Sequence, residues 1–305
     1  MSNSQLHTPV VLIIFKRPDT TEKVFEAIRL AQPKQLFVIA DGPRPGKVGE
    51  VEKCAETRAI LDRVDWDCEV FKDYSEENLG CQKRVSSGLN GVFNQVEEAI
   101  ILEDDCVPHP TFFQYCEALL DYYRNDERIM SISGITNQFQ HRSDQSYYFS
   151  LYNSCWGWAT WKRAWKYFDF DMKLWPIARE QAWLRDLLPD EPTVKFWTET
   201  YQSVYEGKFN TWAYRWKFAC WMQSGLSIIP NVNLISNIGF GNEATNTRVK
   251  QSNRANQPLE AIALPLKHPP LIIRDTQAER YVQRVAYSQS RLSRLKRKIK
   301  KLLFS

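Results

Sequence analysis

Apolar positions fall into two rhythms along the first 135 residues. Short runs rich in apolar or β-branched residues occupy 10–15 (VVLIIF), 35–40 (QLFVIA), 68–74 (CEVFKDY), 99–104 (AIILED) and 129–134 (IMSISG). Each has the length and composition of a strand. Between them, apolar residues recur every three or four positions. Residues 17–31 open with Asp19 at a capping position and Glu22 three residues on, followed by Val24, Phe25, Ile28 and Leu30. A polar helix runs to about residue 64, a loop and helix follow from 77, and a further helix over 109–124 starts from a proline. Strands alternating with helices predict an α/β, Rossmann-like, mostly parallel sheet covered by flanking helices on both faces. Ligands of such sheets sit beyond the carboxyl ends of the strands. Three polar stretches stand there: Lys16-Arg17, Asp41-Gly42 and Glu103-Asp104-Asp105.

After residue 135 the alternation stops. A strand-like opening (YYFSLYN) leads into Trp158, Trp161 and Trp165 at helical spacing, and an aromatic helix is expected over 211–222. Residues 225–241 read as strands broken by Pro230, Gly239 and Gly241, and 242–275 as an irregular closing segment. The pattern divides the chain into 8–135, 136–275, which holds most of the tryptophans, and 276–305.

Charge changes the picture only at the end of the chain. The net charge is +4, but residues 291–305 (RLSRLKRKIKKLLFS) hold seven Lys or Arg and no acid; the rest has 33 basic against 36 acidic residues. A body of −3 excludes nucleic acid as a partner by charge. Leu292, Leu295, Ile299, Leu302 and Leu303 recur between the cations as in a basic amphipathic helix, which suits an anionic membrane surface. A solvated charged extension is the alternative. Seven cysteines at irregular spacing, with no CxxC pair, point to a reducing compartment. With no signal-peptide pattern at the start and no apolar run near the length of a membrane span, the expected location is the cytoplasm, peripheral on the membrane if the tail binds there.

The stretch EAIILEDDCV places three acids at the end of a buried strand. Carboxylates so close repel and lose hydration. A hard divalent cation, Mn²⁺ or Mg²⁺, would offset them by taking one or two carboxylates and the phosphate oxygens of a ligand; a solvated turn is the plain alternative. Asp41 also ends a strand, Arg17 can pair with a diphosphate, and Asn78-Leu79-Gly80 precede a helix carrying Lys83 and Arg84. An anionic nucleotide with a divalent cation accounts for the set together.

These residues resemble a known family. KRPDTTEKVF, ADGP, NLGCQKRVSSG, ILEDDCVPHPTFFQY, CWGWATWKRAW and PNVNLISNIGFG, spread from about residue 10 to 247, are similar to GT-A fold glycosyltransferases, in particular N-acetylglucosaminyltransferase I and its bacterial relatives. The resemblance implies a UDP-sugar donor, a Mn²⁺-type cofactor, transfer with inversion, and a role in bacterial polysaccharide or glycolipid assembly. It makes 8–135 the nucleotide-sugar half and 136–275 the acceptor side. It also implies Asp105 as metal ligand, Glu103 and Asp104 beside the donor, with Asp104 near the ribose and sugar, Asp41 at the uracil, Arg17 and Arg84 near the donor, and Trp158 at a turn by the donor sugar. Trp212 and Tyr214 would line the acceptor side.

Two positions depart from the family. Its general base is an Asp following Trp in the aromatic helix, and here Ala213 follows Trp212; a His expected in a later run is Asn246, within EATNT. Three readings stay open: Ala213 is an introduced substitution that traps substrate, another acid (Glu243, Asp169 or Asp171) serves, or the chain is a weakened or inactive relative that binds nucleotide-sugar. A sugar-1-phosphate nucleotidyltransferase is a further alternative, but it would carry a glycine-rich basic loop after the first strand, and FKRPDTTEK has no glycine. Tryptophans at helical spacing are usually core, so Trp161 and Trp165 are expected to be structural.

Overall fold

A computed structural model of the chain describes residues 5–138, 143–240 and 256–287. Elements in chain order are β1 (Val10–Ile14), α1 (Pro18–Ala31), β2 (Gln35–Ala40), α2 (Glu50–Ala59), β3 (Glu69–Tyr74), α3 (Gly80–Phe93), β4 (Glu98–Glu103), β5 (Cys106–Pro108), α4 (Thr111–Tyr122) and β6 (Ile129–Ser133). There follow β7 (Tyr147–Ser150), β8 (Trp158–Trp161), α5 (Lys162–Trp165), α6 (Trp175–Glu180), α7 (Leu184–Leu187), α8 (Glu191–Tyr205), α9 (Ala213–Met222), β9 (Leu226–Pro230), β10 (Ile235–Asn237) and α10 (Thr276–Val282).

Among the described residues the main sheet has eight strands in the order β3-β2-β1-β4-β8-β6-β9-β7. β3, β2, β1 and β4 are parallel, β6 and β9 run with them, and β8 and β7 run against them. The architecture is therefore α/β with a large, mostly parallel, Rossmann-like sheet and flanking helices. The apolar strands serve two cores at once, because successive side chains point to opposite faces. Val10, Leu12 and Ile14 join α1 and α4 on one face; Val11 and Ile13 join α3 and the aromatic helices on the other. The second face holds Trp158, Trp165, Trp197, Trp212, Trp216 and Trp221, all buried.

Two local expectations are corrected. Trp158 and Trp161 belong to strand β8, which inserts between β4 and β6; only the following turn, Lys162–Trp165, is helical. Pairing with β4 (Ile101 opposite Trp158) decides the backbone here, overriding the helical spacing of the indoles. Helix α1 begins at Pro18 with Arg17 at its N-cap and no side-chain cap, so Asp19 lies in the first turn and caps nothing. Proline at the first helical position is preorganised for that start. The seven cysteines are free, and no helix among the described residues is long and apolar enough to cross a membrane. Residues 291–305 lie outside the described residues.

The ends of β6 and β8 interlock through two glycines. Gly134 N–H donates to the Gly157 carbonyl at 2.7 Å. A Cβ on Gly134 would stand 2.6 Å from Ile235 Cγ1, 2.6 Å from Phe112 Cε2 and 2.8 Å from Gly157 O. Gly134→Ala is therefore expected to destabilise the fold by about 1–3 kcal/mol through overpacking, read as a lower midpoint in urea unfolding. Leu30→Ala, at a 75% exposed position, should shift it by under about 0.5 kcal/mol.

Candidate functional site

β1 and β4 lie side by side with Ile13 opposite Glu103, and Asp104 N–H donates to the Ile13 carbonyl at 2.9 Å. This register sets the loop after β1 against the acids that end β4. Pro18 holds Arg17 outside the helix at φ −121°, as a residue before proline prefers. From there the Arg17 guanidinium pairs with the Asp104 carboxylate, and its Nη2 donates to Asp105 Oδ2 at 2.9 Å. Phe15 N–H donates to Asp104 Oδ2 at 3.4 Å.

A second strand pair closes on the other side of Asp105. β5 and β10 are antiparallel, with Asn237 opposite Cys106. The Ile238 N–H donates to the Asp105 carbonyl at 2.8 Å, and Asn237 Nδ2 donates to Asp105 Oδ1 at 3.2 Å. Asn237 Oδ1 in turn accepts from Gly239 N–H at 3.0 Å. Gly239 leaves room for the pair: a Cβ there would overlap Asp105 Oδ2 and reach 2.7 Å from Arg17 Nη1. Asp104 and Asp105 are both buried.

The electrostatics are lopsided, since three carboxylates face one guanidinium. Burial first, then Asp105 and Asp104, push the Glu103 carboxyl from its usual 4.5 up to about 8, against the pull of Arg17. Burial likewise raises Asp104, opposed by Arg17 and reinforced by Asp105. With Glu103 holding its proton at neutral pH, two carboxylates stand against one guanidinium, and all donors are hard oxygens. Among the described residues no three His, Cys, Asp or Glu side chains are grouped to hold an ion by themselves. The residues thus fit a Mn²⁺- or Mg²⁺-type ion that draws the rest of its shell from water and ligand phosphate.

The other expected residues are placed as follows. Asp41 stands at the end of β2, and its oxygens accept from Leu79 N–H (2.8 Å), Gly80 N–H (2.9 Å), Gly42 N–H (3.0 Å) and Asn78 Nδ2 (3.1 Å). Four bonds fill a carboxylate, so in this structure Asp41 fastens the start of α3. Arg84 is buried and donates to the carbonyls of Ala40 and Asp73, at 3.0 and 2.5 Å, and to Asp73 Oδ1 at 2.7 Å. It ties the ends of β2 and β3 together, while Lys83 is exposed. Trp158 is fully buried within an indole cluster with Trp165, Trp212 and Trp216, and offers no surface to a ligand. Trp212 is buried with it; Tyr214 is half-buried against Trp197 and Phe209.

Ala213 opens α9 and is half-buried. The α9 start is tied to α3 by Gln82, whose amide donates to Asn210 Oδ1 at 2.7 Å and accepts from Arg215 Nη2 at 2.7 Å. Cys81, next to Gln82, is pushed up to about 12 by burial and then by Glu103, Asp104, Asp41 and Asp105, so this turn of α3 adjoins the acids. Asp169 accepts from Asp171 N–H and Lys173 N–H within its own turn, at 3.0 and 2.8 Å. Glu243 and Asn246 lie outside the described residues.

Sequence reasoning missed three contributors. Asn237 and Gly239 reach Asp105 only through the β5–β10 pairing, which 130 intervening residues hide; the Gly239 and Gly241 breaks in a strand-like run were the available signal. Glu50, buried, accepts from Lys16 Nζ at 2.9 Å and from Arg44 Nη2 at 2.5 Å, and these cations hold its carboxyl far below the usual range. It anchors the loop after β2 to the loop after β1, and nothing in its sequence context marks it.

No family model matches the chain, and no curated protein matches it. Among solved structures, a UDP-glucose pyrophosphorylase complexed with UDP-glucose is similar over 47% of this chain and 63% of that one, at 10% identity and a TM-score of 0.28. The match spans less than two thirds of that protein's length. A likeness this distant carries no argument about activity.

The raised Glu103 carboxyl has a sign that can be checked. The folded state holds this proton more tightly than the unfolded chain does. Its stabilising contribution is therefore full below pH 4.5 and is lost as pH rises through about 8. In metal-free protein, Glu103→Gln should flatten the fall in melting temperature across that window and raise it at pH 8; a profile parallel to that of the wild type would contradict the electrostatic account.

Proposed function

We propose that the chain is a metal-dependent glycosyltransferase that moves a sugar from a nucleotide-diphosphate donor, a UDP-sugar, to an acceptor hydroxyl with inversion. The observation that carries this reading is the Arg17–Asp104–Asp105 group at the carboxyl ends of β1 and β4: one guanidinium set against a buried excess of carboxylate. Phosphate and a divalent cation are the ligands that answer both charges at once. Asp105 would hold the ion, with Asn237 and Gly239 fixing the carboxylate. When bound, the metal supplies positive charge to the diphosphate as it departs. Arg17 adds a second cation to the same phosphates, Asp104 keeps Arg17 aimed, and Glu103 and Asp104 accept from sugar or ribose hydroxyls. Asp41 shapes the donor side by holding the Asn78–Gly80 turn in place. The acceptor is a glycan or a lipid-linked sugar, the latter in keeping with the basic amphipathic pattern of 291–305.

Mn²⁺ with UDP-sugar should raise the melting temperature more than either alone, by an amount set by ligand concentration over Kd. Asp105→Ala should abolish the metal-dependent part. A nucleotide-sugar panel without any metal-dependent shift would remove this function.

One observation favours a second reading, binding without turnover: the first position of α9 carries Ala213, with no carboxylate to take the acceptor proton. General-base catalysis contributes about 10²–10⁴-fold. If Ala213 marks a missing base, Ala213→Asp should raise sugar transfer or donor hydrolysis within that range, measured by UDP release. UDP binding with no release in either protein would favour a nucleotide-sugar-binding scaffold.

A further inference from the structure

Far from the acids, β7 forms the last strand of the described sheet, and residues 267–275 run along its outer side. Ser146 N–H donates to the Lys267 carbonyl at 2.9 Å and Asp275 N–H to the Phe149 carbonyl at 2.8 Å. Arg274 pairs with Phe149 in a parallel bridge. Paired residues point to the same side of a sheet and successive ones alternate. Burial follows that rule from Leu271 to Arg274, exposed and half-buried in turn. Ile272 packs into the core that holds Phe149. Leu271 and Ile273 face the other way, toward the side of Tyr148, where α10 packs through Ala278. Both are 65% exposed.

Helix α10 sets charge beside them. Its inner face is Ala278, Glu279 and Val282. Gln277 and Arg280, and Arg284 in the turn Gln283–Tyr287 that continues the helix, recur on its exposed face. The acids here are engaged elsewhere. Asp275 caps the helix by accepting from Gln277 N–H and Ala278 N–H. Buried Glu279 accepts from Arg274 Nη2 at 2.6 Å and from Leu151 N–H at 2.7 Å. Arg280 and Arg284 also border a cleft lined by Pro192 and Phe196 of α8, whose own acid, Asp190, accepts from Thr193 N–H as the α8 cap. What this edge shows to solvent is apolar and cationic.

Single exposed leucines are ordinary on a protein surface. The setting of this pair is not. Residues 276–305 hold nine Lys or Arg and one acid, the buried Glu279. Residues 288–290 alone separate Tyr287 from RLSRLKRKIKKLLFS, so chain connectivity brings that charge to the same edge. An anionic bilayer answers both features: headgroup phosphates meet the cations, and the interface takes up the apolar side chains. A nucleic acid would meet the cations but leave Leu271 and Ile273 in water. A second copy would set cations against cations.

We propose that Leu271, Ile273 and the outer face of α10 form a membrane-facing surface, by which the folded body itself rests on an anionic bilayer beside the basic stretch 291–305. The inference does not depend on the nucleotide-sugar reading, because it uses the opposite part of the sheet from the acids and a different ligand.

The test is cosedimentation of the full chain with vesicles of phosphatidylcholine, alone or mixed with phosphatidylserine, with near-ultraviolet circular dichroism to check that each variant is folded. The wild type should partition onto the mixed vesicles and only weakly onto phosphatidylcholine. Leu271→Ser with Ile273→Ser should weaken that partitioning about tenfold by removing apolar area. Arg280→Gln with Arg284→Gln should weaken it about tenfold as well, and Arg280→Lys with Arg284→Lys should retain it. Leu30→Ser, at a 75% exposed position of α1, should leave it unchanged. Unchanged partitioning in both the serine and the glutamine pair would leave the basic stretch as the whole attachment and overturn the surface. Wild-type protein that binds neither vesicle, or an equal loss in Leu30→Ser, would overturn it too. A dimer in sedimentation velocity that the serine pair dissociates, with vesicle binding untouched, would assign the face to a second copy and overturn the proposal. If the serine pair does not fold, the glutamine pair decides.

Discussion

The Arg17 guanidinium between Asp104 and Asp105 is the interaction on which the site depends. Two neighbouring carboxylates taken out of water are costly unless a cation meets them, and one guanidinium meets them only in part. Everything nearby serves that pairing. Pro18 keeps Arg17 out of the helix, the β1–β4 register aligns the two loops, and the β5–β10 ribbon delivers Asn237 to the far side of Asp105. Gly239 is there because no larger residue leaves room for the ion pair. The residual negative charge is what the proposed divalent cation would offset.

The aromatic half of the chain is tied to the same place. Strand β8 from this half lies directly beside β4, so the sheet that carries the acids also carries the indole cluster. Most of those rings are mortar between α9, α8 and the sheet. Gln82 links the first turn of α3 to Asn210 and Arg215, on either side of Ala213 at the start of α9.

Much of the fold was legible because buried parallel strands announce themselves. VVLIIF, LFVIA and AIIL are apolar throughout, and the structure puts alternate residues of each in different cores. The acid edge was legible for the same reason, since a charge cluster closing an apolar run has few physical explanations. Spacing failed at Trp158 and Trp161, where strand pairing with β4 outweighs a three-residue interval that looks helical. Long-range partners were out of reach: Asn237 and Glu50 act through contacts that no local pattern encodes. Arg84 and Asp41 were singled out by position, and their bonds are with the backbone around α3 and the ends of β2 and β3, which only the folded geometry reveals.

The most direct measurement is a crystal structure of the full chain with a UDP-sugar and Mn²⁺, with the metal located by its anomalous scattering. The account predicts an anomalous peak within oxygen-ligand distance of the Asp105 carboxylate, about 2 Å, with the donor's phosphates beside it. A peak elsewhere, or a nucleotide bound away from the carboxyl ends of β1 and β4, would contradict it.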